Sequence, residues 1–233
     1  MLVIVPSRGR PQNIRRLIDG WVETDAQATL LVAVDDDDAQ LDNYKDAMKH
    51  APNDEQFQLH VGRRLRLAGT LNELATNRVN REGAVDSDIV GFMGDDHLPR
   101  TFKWDLNIED IFATRGLGVV YGNDLIQGPN LPTAVFMSAA IIKTLGYMVP
   151  MGLTHMYLDN TWKVWGEGMG RLTYLPSVII EHLHPIAGKA EWDERYVEVN
   201  AGHQYASDEA AYKNYLASRV NYDLDKLKEL VNG

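Results

Sequence analysis

The sequence predicts an α/β protein: an open, mostly parallel sheet with helices on both faces. Three observations carry that prediction. From residue 2 to residue 93, short apolar runs alternate with segments of helical periodicity in the order β-α-β-α-β-α-β. Two of the runs, Leu2-Val-Ile-Val5 and Ile89-Val-Gly-Phe-Met93, are apolar without alternation, as strands buried on both faces are. Three strand ends break into polar clusters: Ser7-Arg8-Gly9-Arg10, Asp35-Asp36-Asp37-Asp38 and Gly94-Asp95-Asp96-His97. Parallel strands gather all three along one carboxyl edge, where open α/β sheets bind their ligands.

The elements follow in order. The first strand is 2–5, and Pro6 to Pro11 is a loop. Ile14, Leu17, Ile18 and Trp21 recur at helical spacing, which predicts a helix over about 11–23. The second strand, 29–34, runs into the four aspartates, and a mostly polar helical segment then reaches about 51. A third strand is expected at 57–61. Thr70-x-x-Glu73 reads as a capping box opening a helix through Leu71, Leu74, Ala75 and Arg78. The strand at 89–93 comes next.

The second half is less regular. A helix is expected at 102–113, a strand at 118–121 leading to Gly122-Asn123-Asp124, and a strand at 133–137. Ser138 is placed to cap a helix through Leu145. A loop at 152–158 precedes a short helix at 159–165, on which Trp162 and Trp165 read as core residues. An apolar strand at 173–181 ends in Glu181-His182-Leu183-His184-Pro185. A Gly188-Lys189 loop, an acidic stretch at 191–198 and two helices at 207–218 and 223–231 close the chain. There is no internal repeat, low-complexity segment or linker.

Composition excludes several classes. The 233 residues are 45% hydrophobic and 24% charged, ordinary for a globular protein. No apolar run approaches the roughly 18 residues that would span a bilayer. The first residues read as a strand rather than a secretory signal, so a cytoplasmic location is expected. Without cysteine there is no disulfide framework, zinc–thiolate site or cysteine nucleophile. A net charge of −10 opposes loose binding to nucleic acid. Arginine is nevertheless clustered, at Arg8, Arg10, Arg15 and Arg16 and again at Arg63, Arg64 and Arg66. No strand end carries GxGxxG or GxxxxGK[ST], which disfavours a dinucleotide-binding Rossmann enzyme and a P-loop NTPase.

The polar clusters have recognisable chemistry. Asp95 and Asp96 offer oxygen ligands for Mg²⁺ or Mn²⁺ and, through the metal, for a diphosphate; they also suit a simple polar turn. Arg8 and Arg10 carry guanidinium groups that match phosphate oxygens. Asp35 to Asp38 offer acceptors for a base N–H or a ribose hydroxyl, and equally suit a helix N-terminus. His182 and His184 alternate on one strand and so face the same way. Asp159 follows a Gly/Thr/His loop and fits either a general base or an N-cap.

In order and spacing these pieces resemble the GT-A fold of nucleotide-sugar-dependent glycosyltransferases, most closely the family-2-like group. The matching stretches are Val-Pro-Ser-Arg-Gly-Arg-Pro at 5–11, Val-Asp-Asp-Asp-Asp at 34–38, Gly-Thr-Leu-Asn-Glu-Leu-Ala at 69–75, Phe-Met-Gly-Asp-Asp-His-Leu-Pro at 92–99, Tyr-Leu-Asp-Asn at 157–160 and Glu-His-Leu-His at 181–184. The compact size and the Gly-Asp-Asp-His wording also resemble small glycosyltransferases of DNA phages, some of which act on a hydroxylated base in the phage's own DNA.

The resemblance implies one domain over 1–233, with a nucleotide-sugar-binding half at 1–100 and an acceptor-binding half at 101–233. It implies that Pro6, Ser7, Arg8 and either Asp35 or Asp36 hold the nucleoside, and that Arg8, Arg10 and Arg66 face phosphate. Asp96 becomes a metal ligand and Asp95 a contact to ribose or to metal-bound water. Gly94 stands where the family's first metal-site acid is usual. A late histidine, His182 or His184, joins the metal, Mn²⁺ or Mg²⁺, and mixed carboxylate–imidazole ligation suits Mn²⁺ somewhat better than a purely oxygen site. Asp159 takes the place of the catalytic base, with Leu158 where the family usually has glutamate. The implied donor is a UDP-sugar, the implied transfer inverting, and the acceptor a hydroxymethylated base in phage DNA or else a carbohydrate, in the host cytoplasm if the protein is phage-encoded. No membrane partner is implied, and the oligomeric state stays open. Two alternatives share the pattern: a nucleotidyltransferase acting on a sugar phosphate, and a non-catalytic nucleotide- or carbohydrate-binding protein.

Overall fold

The computed structural model describes residues 1–86, 88–189 and 202–233. The acidic stretch expected at 191–198 lies outside these residues. Strand β1 (Leu2–Ser7) is followed by helix α1 (Pro11–Glu23), β2 (Thr29–Asp35), α2 (Leu41–Met48), β3 (Phe57–Gly62), α3 (Arg66–Asn80) and β4 (Ile89–Phe92). Then come β5 (His97–Pro99), α4 (Trp104–Arg115), β6 (Val119–Asn123), β7 (Val135–Ser138), α5 (Ala139–Leu145), α6 (Leu158–Gly168) and β8 (Leu172–His182). Helices α7 (Gly202–Ser218) and α8 (Val220–Asn232) complete the described elements.

The strands form one sheet in the order β3-β2-β1-β4-β7-β6-β8-β5. The first four are mutually parallel, because helices α1, α2 and α3 carry the chain back between them. Strand β7 is antiparallel to both β4 and β6, β8 runs parallel to β6, and the short β5 pairs antiparallel with β8. The sheet is thus mostly parallel, as expected, with its antiparallel pairings in the less regular second half.

Helices cover both faces. On one, α3, α5, α6 and α8 pack Leu71, Ile141, Trp162 and Leu227 with Ile4, Val90 and Val135 of the sheet. On the other, α1, α2 and α4 pack Leu17, Tyr44 and Trp104 with Val3, Val32 and Phe136. Trp162 and Trp165 are core residues, each with its indole N–H satisfied, by Met148 O at 2.8 Å and Tyr215 Oη at 2.7 Å. A Cβ at Gly91 would lie 2.5 Å from the Phe136 ring, so β4 carries glycine where the neighbouring strand lays an aromatic across it.

Helix starts differ from the sequence reading in an instructive way. Thr70 does not open α3; the helix begins at Arg66, placing Thr70 and Glu73 inside it. The Ala68 N–H of its first turn donates to Thr154 O at 3.0 Å, so a distant loop satisfies an orphan donor that a capping side chain would otherwise meet. Ser138 does precede α5, but its hydroxyl accepts from Gly118 N instead of capping; Asp88 O and Asp86 O take the first helical N–H groups. Asp159 lies in the first turn of α6, after Tyr157 at the N-cap position in the left-handed region (φ 66°). Strand β5 has no counterpart in the sequence reading. Its three residues are held by β8 rather than by any propensity of their own.

Candidate active site

Register builds the site. Ile4 pairs with Phe92 across β1 and β4, so three residues on, Ser7 stands level with Asp95. The Ser7 hydroxyl donates to Asp95 Oδ2 at 2.6 Å, and Arg10 Nη1 lies 3.3 Å from Asp95 Oδ1. Ser7 pairs with Val34 across β1 and β2, which brings Arg8 to Asp35. Arg8 Nη1 donates to Asp35 Oδ2 at 2.8 Å and also pairs with Asp37. Tyr44 of α2 joins the same network, its hydroxyl 2.7 Å from Ser7 Oγ and accepting from Arg10 N at 2.8 Å.

The four aspartates divide their work. Asp35 faces the cleft described below. Asp36 is exposed, Asp37 pairs with Arg8, and buried Asp38 accepts the N–H groups of Gly9 and Gln40. The pairing of β5 with β8 sets His97 directly opposite His182. Their rings stack at 4.2 Å, and both approach Asp96: His97 Nδ1 at 3.3 Å and His182 Nε2 at 3.4 Å. His184 lies beyond the end of β8, yet its ring sits edge-on to His182 at 5.1 Å.

These groups open onto one cleft of about 590 Å³ at the carboxyl edge of the sheet. Of the residues singled out from the sequence, Pro6, Ser7, Arg8, Arg10, Asp35, Arg66, Asp95, Asp96, Asp159, His182 and His184 line it; Asp36 does not. Sequence reasoning missed part of the wall, which includes Gln127, Thr133, His155, Tyr157 and Tyr205. It also missed two buried carboxylates that shape that wall. Asp124 accepts the N–H groups of Ile126, Gln127 and Gly128. Asp208 of α7 accepts those of Thr154, His155 and Met156. Asp124 had a signal, standing at a strand end; Asp208, mid-helix, had none.

Burial and neighbours set the charge states. Asp95 is pushed up to about 6 by burial and by the Asp96 charge, against the pull of Arg10 and Ser7. Burial opposes ionisation of Asp96 too, but contacts with His182 and His97 outweigh it and hold the carboxyl well below its usual range. His182 is raised: burial works against its charge, and Asp96, Asp124 and Asp159 more than compensate. His97 and His184 are lowered, by burial first and then by His182. Burial raises Asp159, which accepts the Asn160 N–H at 2.9 Å.

A divalent cation fits this donor set. Asp96, His97 and His182 each offer one ligand atom, and the three atoms lie within 4.8 Å of one another. His97 Nδ1 accepts the Gly94 N–H at 3.0 Å, and its Nε2 is buried with no hydrogen-bond partner among the described residues. One carboxylate with two imidazoles suits a divalent transition metal better than Mg²⁺.

The cleft lies over the ends of β2, β1 and β4, with acids and histidines in its lining, and the mostly parallel sheet beneath it is of GT-A-like α/β type. No protein-family model matches the chain, and no curated protein matches its sequence. Solved structures do. The chain is similar to the mannosyltransferase PcManGT of Pyrobaculum calidifontis, solved with GDP-Man and Mn²⁺, at TM-score 0.59 and 14% identity over 97% of this chain and 72% of that one. It is similar to a protein of Desulfovibrio desulfuricans described as a nucleotide-diphospho-sugar transferase, at TM-score 0.50 and 11% identity over 97% of both chains. It is also similar to a protein of Bacillus anthracis described as a glucose-1-phosphate thymidylyltransferase, solved with sucrose, at TM-score 0.50 and 10% identity over 84% of this chain and 99% of that one. At these identities the likeness establishes the fold. No helix among the described residues is long and apolar enough to cross a membrane.

Proposed function

We propose that the protein is a glycosyltransferase that moves a sugar from a nucleotide-sugar to an acceptor hydroxyl, with inversion and with the help of a divalent cation. The observation that supports this best is the meeting, in one cleft, of the Asp96, His97 and His182 group with a second carboxylate of raised pKa, Asp159.

In this reading residues 1–100 supply most of the donor side. Pro6, Ser7, Arg8 and Asp35 hold the nucleoside, and Arg66 faces the diphosphate. Asp95, with both oxygens engaged by Ser7 and Arg10, holds the loop on which Asp96 is presented. Asp96 and His182 hold the cation with His97 beside them. When bound, the cation neutralises the leaving diphosphate, worth several kcal/mol at the transition state. Residues 101–233 supply the acceptor side. Asp159 takes the proton of the acceptor hydroxyl as that oxygen attacks the anomeric carbon opposite the leaving group.

The expected donor is a UDP-sugar, and GDP-sugars belong in the same test because GDP-Man was bound to the Pyrobaculum neighbour. The acceptor is a hydroxymethylated base in phage DNA or a carbohydrate. A melting-temperature panel of UDP-, GDP- and dTDP-sugars, with and without Mn²⁺, tests the reading, because a ligand that binds the native state stabilises it. One nucleotide-sugar should raise the melting temperature only when Mn²⁺ is present, and should then release nucleoside diphosphate on addition of the right acceptor. No shift with any donor sinks the proposal. Release of pyrophosphate from a sugar phosphate and an NTP would replace it with nucleotidyl transfer, a chemistry the Bacillus neighbour's description names. Donor binding with neither transfer nor hydrolysis would leave a binding protein.

A further inference from the structure

His182 stands between two carboxylates. Its Nε2 is 3.4 Å from Asp96 Oδ2, and its Nδ1 is 4.0 Å from Asp124 Oδ2. The ring has little freedom to turn. His97 stacks on it at 4.2 Å, His184 abuts it edge-on at 5.1 Å, and the His182 N–H donates to Asp124 O at 3.0 Å.

Asp124 is itself immobilised. It is buried, and its Oδ1 accepts three backbone N–H groups: Ile126 at 3.0 Å, Gln127 at 2.7 Å and Gly128 at 2.9 Å. Oδ2 accepts the Thr133 hydroxyl at 2.9 Å. That oxygen has a second lone pair to offer. The nearest ring nitrogen it meets is His182 Nδ1, and a shift of about 1 Å would bring the pair into hydrogen-bond range.

We propose that Asp124 is a positioning residue of the cation site, accepting the Nδ1 proton of His182 and so fixing the tautomer that leaves Nε2 bare beside Asp96. The inference rests on the reading of Asp96 and His182 as cation ligands. A neutral imidazole carries one ring proton, and whichever nitrogen holds it cannot ligate. A carboxylate on the far nitrogen decides the matter and makes the near one more basic. Asp124 therefore acts through His182 and touches no substrate. Its three backbone contacts keep it aimed, so the wall of the cleft and the cation ligand are set by one side chain.

The discriminating variant is Asp124→Asn. Its amide oxygen stays with the three N–H donors, because the alternative flip would set NH₂ against them. The NH₂ then faces His182 Nδ1 and donates to it, which drives the ring proton to Nε2. Mn²⁺ titrations followed by the electron paramagnetic resonance of the free ion should show affinity weakened by about 10–100-fold. Equal affinity in wild type and Asp124→Asn overturns the positioning role alone. Absence of Mn²⁺ binding by the wild type overturns the cation reading and this role with it. If Asp124→Asn does not fold, the wild type decides. In ¹⁵N-histidine spectra of the Cd²⁺-loaded protein, His182 should carry its proton on Nδ1, and a proton on Nε2 refutes the inference.

Discussion

Gly94 carries no side chain in the Gly94-Asp95-Asp96-His97 turn, and the geometry around it gives the reason. A Cβ there would lie 2.5 Å from Asp96 Oδ1 and 2.9 Å from His97 Nδ1. The arrangement that brings His97 onto Asp96 leaves no room for a side chain at 94. Gly94→Ala should weaken Mn²⁺ binding roughly tenfold or more while the protein still melts cooperatively, measured by calorimetric titration. Unchanged affinity would mean the two side chains can part without loss. At Asp159, replacement by Asn removes the base and keeps the shape. Turnover should fall by about 10²–10⁴-fold with donor affinity nearly unchanged. The base must be ionised to act, and burial raises its pKa. Activity should therefore rise with pH through an acid limb lying above the ordinary aspartate value of about 3.9, and that limb should vanish in Asp159→Asn.

Among the elements, α7 governs a loop far from it in sequence. Asp208 is fully buried and accepts the N–H groups of Thr154, His155 and Met156 and the Thr154 hydroxyl, all within 3.1 Å. Gln204, one turn earlier, contacts both Thr154 and Asp208, and its amide oxygen accepts from Arg66 of α3. The loop so held leads into Tyr157, whose left-handed backbone starts α6 and presents Asp159. Burial opposes ionisation of Asp208, but its hydrogen bonds outweigh that and hold the carboxyl below its usual value. A depressed carboxylate contributes stability above the unfolded pKa and loses it as pH falls through the folded one. Asp208→Asn should accordingly cost about 1–3 kcal/mol near neutral pH. The gap from wild type should narrow as the pH drops below about 4. Denaturant melts at the two pH values check this, and a gap independent of pH would show that the ionised form is not what the loop needs.

At the scale of the molecule, the cleft draws residues from β1, β2, β4, β5, β8, α3, α6 and α7, so a ligand bridging it should lock the sheet to the helices around it. At a concentration 100 times its Kd, a donor should add about 2.7 kcal/mol of stability. For a chain of this size that raises the melting temperature by roughly 5–10 °C. EDTA should abolish the shift if the cation is part of the site. A shift that survives EDTA would place donor binding on the arginines and Asp35 alone.

The sequence by itself determined the parallel half of the sheet and the edge on which the site lies. Buried strands such as Leu2-Val-Ile-Val5 are legible because desolvation acts on a local run, and helices at the 11–23 spacing because periodicity is local too. The polar clusters that end those strands were legible for the same reason. Only the tertiary structure decided which groups meet. That β5 pairs with β8, setting His97 on His182, is a long-range register with no local signature. The true start of α3 was misread because Thr154, far along the chain, meets the N–H that a cap would have met. Asp208 was invisible as an organiser, and Asp124 showed only its place at a strand end, because a carboxylate's role depends on which backbone donors are folded around it. Hydrophobic pattern chose the elements and their edge; register and buried hydrogen bonds chose the constellation.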